Sequence, residues 1–190
     1  METIDLGVCT GQLFRADPER VVYLLPGATY PVSAPLLWFA RSVASDHGWT
    51  VLQVDDTRDE SDAHTWVADR FRAALDALPE PSRRAVITKS ITSLCAPEAA
   101  AMALPGIWLT PLNTREEVSE GLAANPTPTL AIGGGADPSW DRAAANRAQI
   151  EVFEVPGADH TLGGSSASQS LDMLRSVVDR IDRFFEIHLD

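Results

Sequence analysis

Six short apolar runs decide what this chain can fold into. Val21–Leu25, Trp49–Val54, Arg84–Thr88, Gly106–Thr110, Thr127–Ile132 and Ile150–Val155 are too short for buried helices and rich in aliphatic side chains. Their largely unbroken apolarity is that of strands covered on both faces. Segments with helical spacing lie between them. One carries Leu36, Leu37, Phe39, Ala40 and Val43 behind Ser33 as N-cap, and ends near Gly48. Another starts at Ser61 or Asp62 and carries Trp66, Val67, Phe71, Ala74, Leu75 and Leu78. A third, Ile91–Leu104, follows a strand without a loop, and Thr114-Arg115-Glu116-Glu117 fits the capping box of a short helix. The C-terminal helix places Leu171, Leu174, Val178, Ile181 and Phe185 on one stripe. Residues 4–14 read as a weaker strand or hairpin broken by Gly7 and Gly11. The alternation predicts an α/β fold with a mostly parallel central sheet and helices on both faces. Six strands and six helices within 190 residues leave no room for a second domain, so 1–190 reads as one domain.

Charge narrows the partners. With 15 basic and 27 acidic residues the net charge is −12, which argues against nucleic acid or an anionic membrane, since both select basic surfaces. No apolar stretch approaches the ~20 residues that span a bilayer. Residues Met1 to Asp5 lack the basic start and apolar run of a secretion signal, so a cytoplasmic location is expected. Cys9 and Cys95 make neither a disulfide framework nor a four-ligand zinc site, and no cofactor or metal is expected. Fourteen of the 15 basic residues are Arg; the only Lys is Lys89.

In an open parallel sheet, ligands bind beyond the carboxyl ends of the strands. Ser90 stands at a strand-to-helix junction, Asp137 follows the run 127–132, and His160 follows the run 150–155. The order Ser, Asp, His along the chain is that of the α/β-hydrolase triad. Together with Leu24-Leu25-Pro26-Gly27-Ala28, Thr88-Lys89-Ser90-Ile91-Thr92, Leu130 to Asp137 and Pro156 to His160, it makes the chain resemble the α/β-hydrolase superfamily, in its small lid-less form, from about residue 20 onward. The resemblance implies Ser90 as nucleophile, His160 as base and then acid, and Asp137 as the group orienting His160. It also implies the Ile91 amide as one oxyanion donor and that of Ala28 or Thr29 as the second. The chemistry needs these types: a serine hydroxyl requires an imidazole within reach, and the imidazole a carboxylate that sets its tautomer.

One departure stands out. The resembled elbow reads Gly-x-Ser-x-Gly, because the residues two before and two after the serine crowd one another; here they are Thr88 and Thr92. Two β-branched side chains would have to spread strand and helix or relax the serine backbone. Other motifs fail: a P-loop ending at Lys89-Ser90 needs glycines where Arg83 and Thr88 stand, and Pro138 occupies the third glycine of a dinucleotide fingerprint. Ser93 is a rival nucleophile, Cys95 reads as a core thiol, and His47, His64 and His188 read as surface residues.

Only three residues separate Thr110 from Thr114, where a cap domain would enter, so the site should be open. Tyr30, Lys89, Leu112, Trp140 and Leu162 are candidates for its lining, Tyr30 also as a hydroxyl donor; for Lys89 the plain alternative is a solvent-facing side chain. The expected partner is a small acyl substrate, an ester or thioester. The alternative is a hydrolase-fold small-molecule-binding protein, impaired by its two threonines. A homodimer through the C-terminal helix or an edge strand is compatible with the sequence.

Overall fold

A computed structural model describes residues 1–58 and 61–190. Eight strands form one sheet: β1 (Glu2–Asp5), β2 (Thr10–Phe14), β3 (Asp17–Leu24), β4 (Trp49–Asp55), β5 (Arg83–Lys89), β6 (Gly106–Leu109), β7 (Thr129–Gly134) and β8 (Glu151–Val155). Their order is β1-β2-β4-β3-β5-β6-β7-β8. β2 pairs antiparallel with both β1 and β4, and every other pair is parallel. The weak run 4–14 is thus a hairpin at the sheet edge, turned by Gly7 at φ +80°, whereas Gly11 lies within β2.

Among the described residues six α-helices cover the sheet: α1 (Pro35–Asp46), α2 (Ala63–Asp76), α3 (Ala96–Ala101), α4 (Glu116–Ala124), α5 (Arg142–Arg147) and α6 (Ala167–Phe184). On one face α1 and α6 bury Leu36, Leu37, Val177 and Ile181 against Val22, Val51, Ile87 and Ile107. On the other, Trp66, Phe71, Ala99 and Leu122 of α2, α3 and α4 pack on Tyr23, Leu52, Val86 and Trp108. Alternate residues of each central strand feed opposite faces, hence the apolar runs.

Four local expectations are corrected. Ala34, not Ser33, precedes α1, which starts on Pro35 as its first residue, a position where the missing amide costs nothing. Arg115, not Thr114, precedes α4, and no side chain caps it. Asp62 does cap α2, accepting from the Thr65 amide. Residues 91–104 are not one helix: Ser90–Cys95 is a 3₁₀ turn, and α3 restarts with Pro97 in its first turn. In α6 the buried stripe is Met173, Val177, Ile181 and Phe184; Leu174 and Val178 flank it, and Leu171 is 66% exposed. Of the expected stripe, Ile181 and Phe185 are fully buried, Leu174 and Val178 lie at its margin, and Leu171 faces solvent.

Between β6 and α4 the chain has six residues, 110–115, and no inserted cap. No helix among the described residues is long and apolar enough to cross a membrane.

Candidate active site

The parallel strands carry their following loops to one end of the sheet, among them those after β3, β5, β6, β7 and β8. From β3 the chain crosses through α1 to β4 on one side and then returns through α2 to β5 on the other side of β3, so the crevice between β3 and β5 is where an open sheet accepts a ligand. Ser90 follows β5 there, beside the loop that holds Ala28 and Thr29.

Ser90 has φ +57°, a left-handed conformation rare outside glycine. Its hydroxyl lies 2.7 Å from His160 Nε2, and His160 Nδ1 lies 2.7 Å from Asp137 Oδ2. A carboxylate only accepts, so Nδ1 carries the proton and Nε2 is left to accept from Ser90. The Asp137 side chain is fully buried and also accepts from the Ser139 amide at 2.8 Å, whereas that of His160 is 35% exposed. The structure thus joins Ser90, His160 and Asp137 in one hydrogen-bonded chain, anchored inside and open at the serine.

The two threonines have different surroundings. Thr92 Oγ1 accepts from the Lys89 amide at 3.0 Å and donates back to the Lys89 carbonyl at 3.1 Å, closing the corner. Thr88 is buried, and its hydroxyl has no partner among the described residues. The corner is therefore built around Thr92, and Ser90 keeps its left-handed backbone. Ile91 is the second residue of the 3₁₀ turn, whose first amides lack partners within the turn. The amides of Ala28 and Thr29 bond to nothing else among the described residues, while Gly27 closes the loop onto the Tyr30 carbonyl at 3.0 Å.

The expected lining separates into two groups. Tyr30 and Leu162 border a cleft of about 590 Å³ that also touches Leu36, Thr161, Leu171 and Leu174. The Tyr30 hydroxyl accepts from the Leu36 amide at 3.1 Å, so it ties down the start of α1 while the ring serves as wall; burial raises its pKa. Lys89, Trp140 and Leu112 do not line this cleft. Lys89 is 1% exposed and turned inward, neither on the wall nor in solvent, because its side chain runs beneath Gly27 toward Thr110 and the His160 carbonyl. Trp140 packs against Gly133 of β7, with its indole N–H on Glu154 at 2.9 Å. Leu112 is half-buried, and its amide donates to Ser93 Oγ at 3.0 Å. That bond and full burial also make Ser93 part of the packing; Cys95 is buried too, and burial pushes its thiol pKa well up. His47 is no surface residue: its side chain is 13% exposed and bonds Asp182 and Asp190.

Sequence reasoning missed Thr110 and the inward role of Lys89. Lys89 Nζ donates to Thr110 Oγ1 and, at 2.8 Å, to the backbone carbonyl of His160. Burial pulls its pKa down to about 8, against the opposing fields of Asp137 and Asp159. Nothing local signals a threonine at φ +42°. The Thr92 bonds were detectable, since a hydroxyl three residues past a strand end often reaches back to the chain.

Sheet order, uninterrupted β6–α4 connection and loop placement define the lid-less α/β-hydrolase fold. Solved structures bear this out. Est1E from Butyrivibrio proteoclasticus superposes with a TM-score of 0.75 at 14% identity, covering 97% of each chain. XC6422 from Xanthomonas campestris, an α/β serine hydrolase without lid, gives 0.71 at 16% identity over 97% of this chain and 92% of its own. Dienelactone hydrolase from Anabaena variabilis gives 0.71 at 16% identity over 98% and 96%. No family model and no curated protein matches the sequence.

Proposed function

We propose that this protein is a serine hydrolase that cleaves a small acyl ester or thioester through an acyl-Ser90 intermediate. The observation that carries this is Ser90 itself: a left-handed serine at a strand end, its hydroxyl 2.7 Å from an imidazole that a buried carboxylate holds. Strain of this kind persists only where the surroundings enforce it. The neighbours called serine hydrolase and dienelactone hydrolase support the reaction class.

In the first step Ser90 Oγ attacks the acyl carbon while its proton passes to His160 Nε2. The Nδ1–H bond to Asp137 stabilises the imidazolium. The oxyanion is received by the Ile91 amide and by that of Ala28 or Thr29. Collapse expels the alcohol or thiol, protonated by His160. A water, deprotonated by His160, then attacks the acyl-serine; His160 returns that proton to Ser90 Oγ as the carboxylic acid leaves. With no cap inserted between β6 and α4, and with the cleft of Tyr30 and Leu162 reaching Thr161, next to His160, a compact acyl group suits the site.

Incubation with a fluorophosphonate, read by intact mass, tests this. A single adduct is expected on the wild type and on Ser93→Ala but not on Ser90→Ala, and Ser90→Ala should lose p-nitrophenyl acetate hydrolysis by about 10³-fold or more. A folded wild type without adduct overturns the proposal and supports a binding protein on a hydrolase fold instead.

A further inference from the structure

The only lysine of the chain is buried at the centre of the proposed machinery. Its stem passes beneath the loop of Gly27, close enough that a Cβ on that glycine would lie 3.3 Å from Lys89 Cγ. The ammonium then meets groups from three loops: Thr110 Oγ1 after β6, the His160 carbonyl after β8, and the Tyr30 ring after β3, whose centroid is 5.2 Å away. Three N–H donors and three such neighbours match the capacity of an ammonium.

Two features single out this contact. No carboxylate lies within ion-pair distance of Lys89 among the described residues, so the fold keeps a nearly inaccessible cation on neutral partners. An apolar side chain of similar length would fill the space without that desolvation cost. The loop carrying His160 is also tied unevenly. Toward β7 it is held by backbone bonds, Gly135 to Val155 and Ala136 to Ala158, and it closes on itself through Asp159, which accepts from Thr161 and Gly163. Toward β5 and β6, the Ser90–His160 bond aside, Lys89 makes the hydrogen bond that reaches it.

We infer that Lys89 is a positioning residue for the reaction proposed above, its ammonium tying the carbonyl of His160 to the end of β6 so that the imidazole stays against Ser90. The inference rests on the serine-hydrolase reading for its consequence in rate, but the link to His160 can be measured apart from it. Thr110 contributes by holding its hydroxyl toward the ammonium from a left-handed backbone.

The test compares wild type, Lys89→Met and Thr110→Val, each checked for folding by circular dichroism. The maximal rate of fluorophosphonate modification should fall at least tenfold in Lys89→Met and at least threefold in Thr110→Val, with the half-saturating probe concentration changed less than threefold. A merely structural lysine would not split the two constants. In parallel, ¹⁵N-histidine NMR, with the His160 signal assigned by its loss in His160→Gln, should show that ring's signals displaced or broadened in Lys89→Met. Unchanged His160 signals in folded Lys89→Met, or a maximal rate within threefold of wild type, overturn the inference. If Lys89→Met does not fold, Thr110→Val decides by the same two readouts. If wild type takes no adduct, the hydrolase reading fails, and the NMR comparison still decides whether Lys89 positions His160.

Discussion

At the scale of single residues, the site depends on contacts with almost no tolerance. Gly133 of β7 lies under Trp140, and a Cβ there would stand 2.0 Å from the indole. Gly133→Ala is therefore expected to destabilise the protein by at least about 1–3 kcal/mol, as overpacked cores do. Urea unfolding of that variant would show it; an unchanged midpoint would mean that Trp140 moves freely aside. Lys89 shows how far one residue's role can depart from its local sequence. Its position beside Ser90 is plain in Thr88-Lys89-Ser90, but a long flexible side chain has many directions open to it. The choice made here was set by Thr110 and by the His160 carbonyl, 21 and 71 residues further on.

At the scale of elements, most departures concern where helices begin and which way they face. The caps expected at Ser33 and Thr114 are displaced because Pro35 and Glu116 start their helices one residue after Ala34 and Arg115. The α6 stripe is shifted in phase along its first turns, where packing against the α1 side of the sheet selects Met173 and Val177, while Ile181 and Phe185 are buried as expected. Around α1 and α6 sits a pH-sensitive tie. Burial pulls the His47 imidazole down, but its bonds to Asp182 at 2.9 Å and Asp190 at 2.6 Å outweigh that and raise its pKa. A raised folded-state pKa stabilises fully below the unfolded value of about 6.5 and loses that contribution as pH rises through the folded value. Wild type should thus exceed His47→Gln in melting temperature at pH 6 by roughly 2–4 °C, equivalent to about 1 kcal/mol in a protein of this size. The difference should narrow by pH 9; a gap that widens with pH would refute the tie.

At the scale of the whole molecule, two apolar layers share one sheet. Val21 and Tyr23 feed one face, Val22 and Leu24 the other, so neither layer can melt while the other keeps its strands. A single cooperative transition follows, with calorimetric and van't Hoff enthalpies in agreement; two resolved transitions would show that the layers are independent. The same sheet explains why the candidate site is assembled without any local motif. Ser90, Asp137 and His160 stand 47 and 23 residues apart, and parallel pairing of β5 through β8 delivers all three to one edge.

The α/β architecture, the strands and the Ser-Asp-His sequence of candidate residues were legible in the chain itself. Buried strands write themselves as contiguous apolar runs, and groups near a parallel sheet's carboxyl edge follow those runs directly. Tertiary structure alone decided the left-handed turn at Ser90, the inward path of Lys89, the burial of Trp140 under β8 and β7 rather than beside the cleft, and the face of α6. Each of these is chosen by atoms remote in sequence: local periodicity says that a side chain is apolar or long, and only the packed neighbours say where it goes.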